Sequence, residues 1–351
     1  MTTTADAIRQ AARAHGFTRI GIVPAEPSAT LEAYRRWIAA EMHAGMGYMA
    51  RPDRQARRED LGVILPGARS LIVVALDYRQ TTPAGLLREP GRGRFAAYAW
   101  GADYHEVLLE RMERLAQALQ PMLGARRCYV DTGPLLERSH GQRGGLGFVG
   151  KNTMLIHPRA GSLFFLGEIL TDAAFDDYDP PLPKASMCGS CTRCLSACPT
   201  DAFPQPYVLD ARRCISYWTI EHRGSIDPAL RARFGNWVFG CDICNDVCPF
   251  QRFAPLSDEP AFALDTPERA APLLTDLLAL DEAGFAARFH GTPVWRLGRE
   301  RLLRNACVAA GNWGSPLIAP ALEHVLAQGS PLLTEHAAWA LAAIARAERA
   351  S

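Results

Sequence analysis

No stretch of this sequence stays apolar for about 18 residues, so no membrane-spanning helix is expected. The first residues, MTTTADAIRQAARAHG, lack the apolar core of a secretory leader and read as the start of an amphipathic helix. Charge of one sign is missing too: 38 Lys and Arg face 37 Asp and Glu, a net of +1, which does not announce a nucleic-acid surface. Basic runs occur only locally, at Arg51–Arg58, Arg88–Arg94 and Arg296–Arg304. Such runs are more often solvated faces than phosphate contacts. A Walker loop is also absent, because Lys151 is followed by Asn152 where G-x4-G-K-[ST] requires a hydroxyl residue. With reduced thiols and no leader, the expected compartment is the cytoplasm.

What is present is cysteine, ten in all, eight of them between Cys188 and Cys248. The run CGSCTRCLSACP spaces Cys188, Cys191, Cys194 and Cys198 as C-x2-C-x2-C-x3-C-P, the bacterial ferredoxin pattern. A second run, CDICNDVCP, supplies Cys241, Cys244 and Cys248 but has Val238 where its leading cysteine would stand. Cys214, upstream in RRCISYW, is the replacement. A [4Fe–4S] cube takes one thiolate per iron, and the fourth cysteine of such a run ligates the other cube. Cluster 1 is therefore expected on Cys188, Cys191, Cys194 and Cys248, and cluster 2 on Cys198, Cys214, Cys241 and Cys244. Zinc would need two separate ions for eight cysteines, and a Cys-Pro ending that occurs twice is not a zinc signature. Disulfide scaffolds belong to short secreted chains. Cys128 and Cys307 remain, both in apolar contexts that suggest buried free thiols.

The fold class expected is α+β and multidomain. Residues 1–179 read as an α/β domain, with helices at Thr4–His15, Leu31–Ala40 and Tyr104–Leu123. Strands are expected at Arg19–Val23, Leu71–Leu76 and Cys128–Asp131, with shorter ones at Leu163–Leu166 and Ile169–Leu170. Asp131 ends a strand before a Gly-Pro turn, so it is either a candidate general acid or the cap of the helix that follows. Gly144–Thr153 (GGLGFVGKNT) is either an open backbone for a large ligand or an ordinary tight turn. Residues 180–254 form the ferredoxin module, where Tyr217, Trp218, Trp237 and Phe239 are expected to pack over the clusters. Residues 255–351 turn to Ala and Leu in helical pattern, either a HEAT-type repeat or a plain helical cap.

Taken in order, MGYMARPDRQARREDLGVILPGARSLIVVALDY, YAWGADYH, VDTGPLLERS, GLGFVGKNT, LFFLGEILTD, the cysteine runs, DARRCISYWTIE, GNWVFGCDICNDVCPFQRF and RNACVAAGN resemble the epoxyqueuosine reductase family over nearly the whole chain. The resemblance implies a cobalamin held base-off over the first domain near cluster 1, and a substrate that is the epoxide-bearing wobble base of a tRNA anticodon. It also implies an external electron donor, a tRNA-binding helical tail and a monomer that touches no membrane. Asp131 matches the family's catalytic aspartate and would give a proton to the leaving oxygen, a role that needs a raised pKa. Arg58, Ala97, Asp131, Lys151, Asn152 and Thr153 would lie near the corrin. No D-x-H-x-x-G signature of a histidine lower ligand is complete: Asp103-Tyr104-His105 starts one, but Leu108 replaces the glycine. His140, Gln142 and Phe250 depart from the family's pattern. Rival classes are a reductive dehalogenase-like enzyme, which usually carries a twin-arginine signal, and a ferredoxin-type carrier with a HEAT docking surface.

Overall fold

The computed structural model describes residues 4–350. Its framework is the strand Ser70–Asp77, buried at every position. Its run LIVVAL has no polar face because both sides of the sheet are covered. Ile72, Val74 and Leu76 pack with the helices Thr4–Ala14 and Tyr104–Ala118. Leu71, Val73 and Ala75 face the other way, where the helix Glu137–Arg143 lays Gly141 against Val73 and Leu166. The sheet runs Arg19–Pro24, Ser70–Asp77, Phe164–Thr171, Arg126–Tyr129, each strand antiparallel to its neighbours.

Two strands differ from expectation. Leu163–Leu166 and Ile169–Leu170 are parts of one strand, Phe164–Thr171. Gly167 and Glu168 do not break it: Gly167 makes room for Met112, and Glu168 has a buried partner in His140. The strand expected to end on Asp131 ends at Tyr129, so Asp131 lies beyond the ladder, at a left-handed φ of 57°. The long helix stops at Ala118, five residues early, although Leu119 and Leu123 stay buried.

Val238 sits in a short strand, Trp237–Phe239, paired in parallel with Arg94–Phe95. It is fully buried, which accounts for an apolar residue in the cysteine slot. The tail helices Arg299–Trp313, Ala319–Gln328 and Pro331–Ala350 share one core with Phe95, Trp100, Val238 and Phe239. Val308 of the tail packs with Ile215, Ile226, Phe234 and Trp237 of the segment between Cys214 and Cys241. Thus Trp237 and Phe239 are core residues between module and tail, with Cys241 at the edge of the Trp237 cluster. Buried Arg304 ties the two further, donating to the carbonyls of Trp218, His222 and Gly224 at 2.7–2.8 Å. Cys307 is buried as expected, while Cys128 on the edge strand is only half-buried. Among the described residues no helix is long and apolar enough to cross a membrane.

Candidate active site and cluster module

Asp131 does not cap the helix after it. Its Oδ2 accepts a hydrogen bond from the Tyr104 hydroxyl at 2.9 Å and lies 3.7 Å from His105 Nε2. The contact runs the other way: Glu137, at the start of the helix Glu137–Arg143, accepts the Asp131 N–H at 2.7 Å. The Asp131 side chain is 65% exposed, yet Tyr48, Tyr98, Arg138 and Glu221 reach it electrostatically from four other segments, so it lies on the floor of an open cleft. Glu221 comes from a π-helical turn, Tyr217–Glu221, a local form found often at functional sites. Burial drives the Tyr48 hydroxyl up to about 12, with the charges of Glu221 and Asp131 adding to it.

The pKa of Asp131 departs from expectation. It is lowered, chiefly by His105 facing it and then by the Tyr104 hydroxyl. His105 is raised: burial opposes its charge, but Asp103 and Asp131 at its two nitrogens prevail. Glu137 is pushed well up by burial and by the charges of Glu168 and Asp131. The site therefore separates its titrating groups, with the proton favoured on His105 and Glu137 and disfavoured on Asp131.

The eight cysteines fall into two electrostatic sets. Burial first, and then Cys188 and Cys248, raise the Cys194 thiol, and burial with Cys188 and Cys191 raises Cys248. In the other set burial and then Cys198 raise Cys214, and burial raises Cys241 with Cys244 and Cys214 adding. Cys244 feels burial most, then Cys214, and also Cys194 and Cys198, so the two sets adjoin. Buried thiols that raise one another's pKa are held as thiolates only by a cationic centre, which is what an iron–sulfur cube provides. Among the described residues no three metal-binding side chains converge on a single-ion position. Backbone N–H groups already point at sulfur, Lys151 at Cys188 (3.4 Å) and Ala202 at Cys198 (3.3 Å).

A single turn joins the two sites. Lys151 Nζ donates to the carbonyls of Gly189 (2.7 Å) and Cys191 (3.0 Å), and buried Asn152 donates to the Cys244 carbonyl at 3.3 Å. One residue on, Thr153 has a φ of 65° and its carbonyl accepts from Arg138, a charge facing Asp131. Non-glycine residues with positive φ thus stand on both sides of the cleft, at Asp131 and Thr153. Among the glycines before this turn, Gly144 passes so close to Gly21 that a Cβ on Gly21 would collide with the Gly144 carbonyl. Gln142 anchors the same loop by accepting from Val149 N–H at 3.0 Å, and Phe250 packs edge-on against Phe148 at 5.3 Å. Ala97 donates its N–H to Asp242, between Cys241 and Cys244, at 2.6 Å. Arg58 is buried over the Tyr34 ring, leaves its Nε without a partner, and reaches the cleft by its field on Tyr48.

Tyr104, His105, Glu137, Arg138 and Glu221 are site residues that pattern alone does not single out. Asp103-Tyr104-His105 stands out only as an incomplete metal motif; its use as a helix start, with Asp103 accepting the His105 N–H at 3.1 Å, requires the fold.

A carboxylate and an imidazole on the rim of an antiparallel sheet lie one turn from eight gathered cysteines, the arrangement of an iron–sulfur redox enzyme. Residues 187–251 match the 4Fe-4S double cluster binding domain, and residues 58–132 match the model described as epoxyqueuosine reductase QueG, DUF1730. The chain is 41% identical over 350 residues to the epoxyqueuosine reductase of Xanthomonas campestris, covering 97% of this chain and 96% of the relative. It is 39% identical to that of Pseudomonas aeruginosa, covering 96% and 93%. Among solved structures, an epoxyqueuosine reductase with an epoxyqueuosine-modified tRNA-Tyr stem loop superposes with a TM-score of 0.87 at 33% identity, covering 97% of this chain and 90% of that one. A Bacillus subtilis epoxyqueuosine reductase, with its catalytic aspartate loop swung out of the active site, gives 0.87 at 32% identity, with the same coverage. The chain belongs to the epoxyqueuosine reductase family.

Proposed function

We propose that this protein reduces epoxyqueuosine to queuosine at the wobble position of tRNA, with Asp131 handing a proton to the departing oxygen. The observation that carries this is the Lys151–Thr153 turn, which touches the cysteine loops at one end and the Arg138–Asp131 edge of the cleft at the other. Opening an epoxide to an alkene takes two electrons and two protons, so electron and proton sources must lie side by side. Cys188, Cys191, Cys194 and Cys248 hold one [4Fe–4S] cluster in this reading, and Cys198, Cys214, Cys241 and Cys244 the other, passing electrons from an external donor.

Cobalamin is assigned to the open side of Asp131 in this reading; its support is the buried Arg58 guanidinium, whose Nε has no partner. Arg58, Ala97, Lys151, Asn152 and Thr153 would hold the corrin, with Asp131 facing it. When bound, the cofactor would supply a low-valent metal able to reduce the epoxide. The residues do the rest: Tyr104 and His105 aim the Asp131 carboxylate, and Tyr48 offers an exposed aromatic face at the mouth. The helical tail serves as a HEAT-like tRNA-binding surface in this reading, although its Arg296–Arg304 run is largely engaged inward, with Arg304 buried and Arg296 held by Asp103.

The test is anaerobic conversion of epoxyqueuosine-containing tRNA by the cobalamin-supplied protein, followed by nucleoside analysis. Asp131→Asn should keep the iron and corrin absorbance while turnover falls at least about 100-fold. Full activity in that variant would remove Asp131 from its role.

A further inference from the structure

Resting on the reading just given, we propose that His105, gripped by Asp103 at one nitrogen and facing Asp131 with the other, is the proton store that reloads Asp131 during turnover. His105 Nδ1 lies 2.7 Å from Asp103 Oδ1 and Nε2 lies 3.7 Å from Asp131 Oδ2. The second distance is an ion-pair separation, and catalytic contacts of this kind commonly tighten when substrate binds. Asp103 is itself fixed from the tail, since its Oδ2 accepts from Arg296 Nε at 3.0 Å. The imidazole stacks on the Tyr104 ring at 4.0 Å between centroids, and the Tyr104 hydroxyl binds the same Asp131 oxygen that Nε2 faces. The ring is therefore locked in plane, with one nitrogen on an anchoring carboxylate and the other on the working one.

The surrounding charges hold the proton on the imidazole at rest, so it moves to Asp131 only when the departing oxygen draws it on. Burial and Arg296 oppose a charged imidazole, and Asp103 and Asp131 overcome them. Around Asp131, His105, Tyr104 and Arg138 favour the ionised carboxylate, while Glu137 and Glu221 face it as further acids, both raised mainly by burial. At rest the proton belongs to His105, and the group nearest the substrate is ionised.

The sequence of transfers balances. Both carbon–oxygen bonds of the epoxide break, a carbon–carbon double bond forms, two electrons arrive from the cluster module, and the oxygen leaves as water with two protons. Nε2–H of His105 passes to the Asp131 carboxylate, and Asp131 passes that proton to the departing oxygen. Water at the cleft mouth recharges the imidazole, which sends the second proton by the same route. Asp131 ends each transfer ionised, as it began.

The experiment is the pH dependence of single-turnover rate on epoxyqueuosine-containing tRNA for the holoenzyme, His105→Gln and Asp103→Asn. A folded-state pKa above 6.5 keeps the imidazolium present below that pKa, so the wild-type rate should fall as pH rises through it. His105→Gln should lower the rate about 100-fold and erase that limb, with tRNA affinity and cofactor absorbance unchanged. Asp103→Asn keeps the ring but removes its anchoring anion, so the limb should move to lower pH. A histidine with only a structural role would lose rate without moving it. Independently of turnover, the His105 ring should titrate above 6.5 by NMR and shift downward in Asp131→Asn. An unchanged limb at undiminished rate in His105→Gln overturns the relay alone. Wild-type protein that binds the tRNA without converting it overturns the functional reading and the relay together.

Discussion

Glu168 is a carboxylate in the middle of a sheet, fully buried, with His140 Nδ1 at 2.8 Å as its side-chain partner. Glu168 Oε2 and His140 Nε2 have none. Removing one member of such a pair strands the other, and the penalty exceeds what the pair contributes when intact. His140→Leu should therefore destabilise the protein by about 3–5 kcal/mol, seen as a lower denaturation midpoint at unchanged slope. At this scale the sequence is uneven. Asp131 is legible because VDTGP places a carboxylate just past a strand. His140 stands out only as a departure, since its partner lies 28 residues away on the neighbouring element and no spacing rule links them. His105 is hidden for a related reason: the contacts that matter, to Asp131 and through Asp103 to Arg296, span 26 and 193 residues of chain.

The Lys151–Thr153 turn is the smallest element on which the chemistry depends. Lys151 is one of only two lysines in the sequence, and its ammonium donates to two carbonyls of the Cys188–Cys191 loop. Lys151→Met keeps the aliphatic stem and deletes both charge-assisted bonds. The first cluster should then lose iron to a chelator about tenfold faster, a change of about 1.4 kcal/mol, with the helical content intact by circular dichroism. Elements whose pattern is local were readable beforehand: LIVVAL as a buried strand, the two cysteine runs, the tail helices. The strand Phe164–Thr171 was not, because Gly167 and Glu168 look like a break until Met112 and His140 are in place. Lys151 and Asn152 were expected near a corrin, and their grip on the cysteine loops could not be read from a glycine-rich stretch alone.

Over the whole molecule the expected boundary near residue 254 crosses a continuous core. Phe95, Val238 and Phe239, all nearly or fully buried, pack with residues of the tail helices. A chain ending at residue 254 would expose these side chains, each at a cost of about 1.5–3 kcal/mol. Such a fragment is expected to be insoluble or to purify with fewer than eight irons, as measured by iron analysis of the soluble fraction. The same architecture sets an order of events in the cell. Cys214 and Cys241 bracket a segment that rests on Val308 and is tied by Arg304, and both of these leave the ribosome long after the cysteines do. The packing behind this second cysteine set is thus complete only once the Arg299–Trp313 helix has been made and has docked.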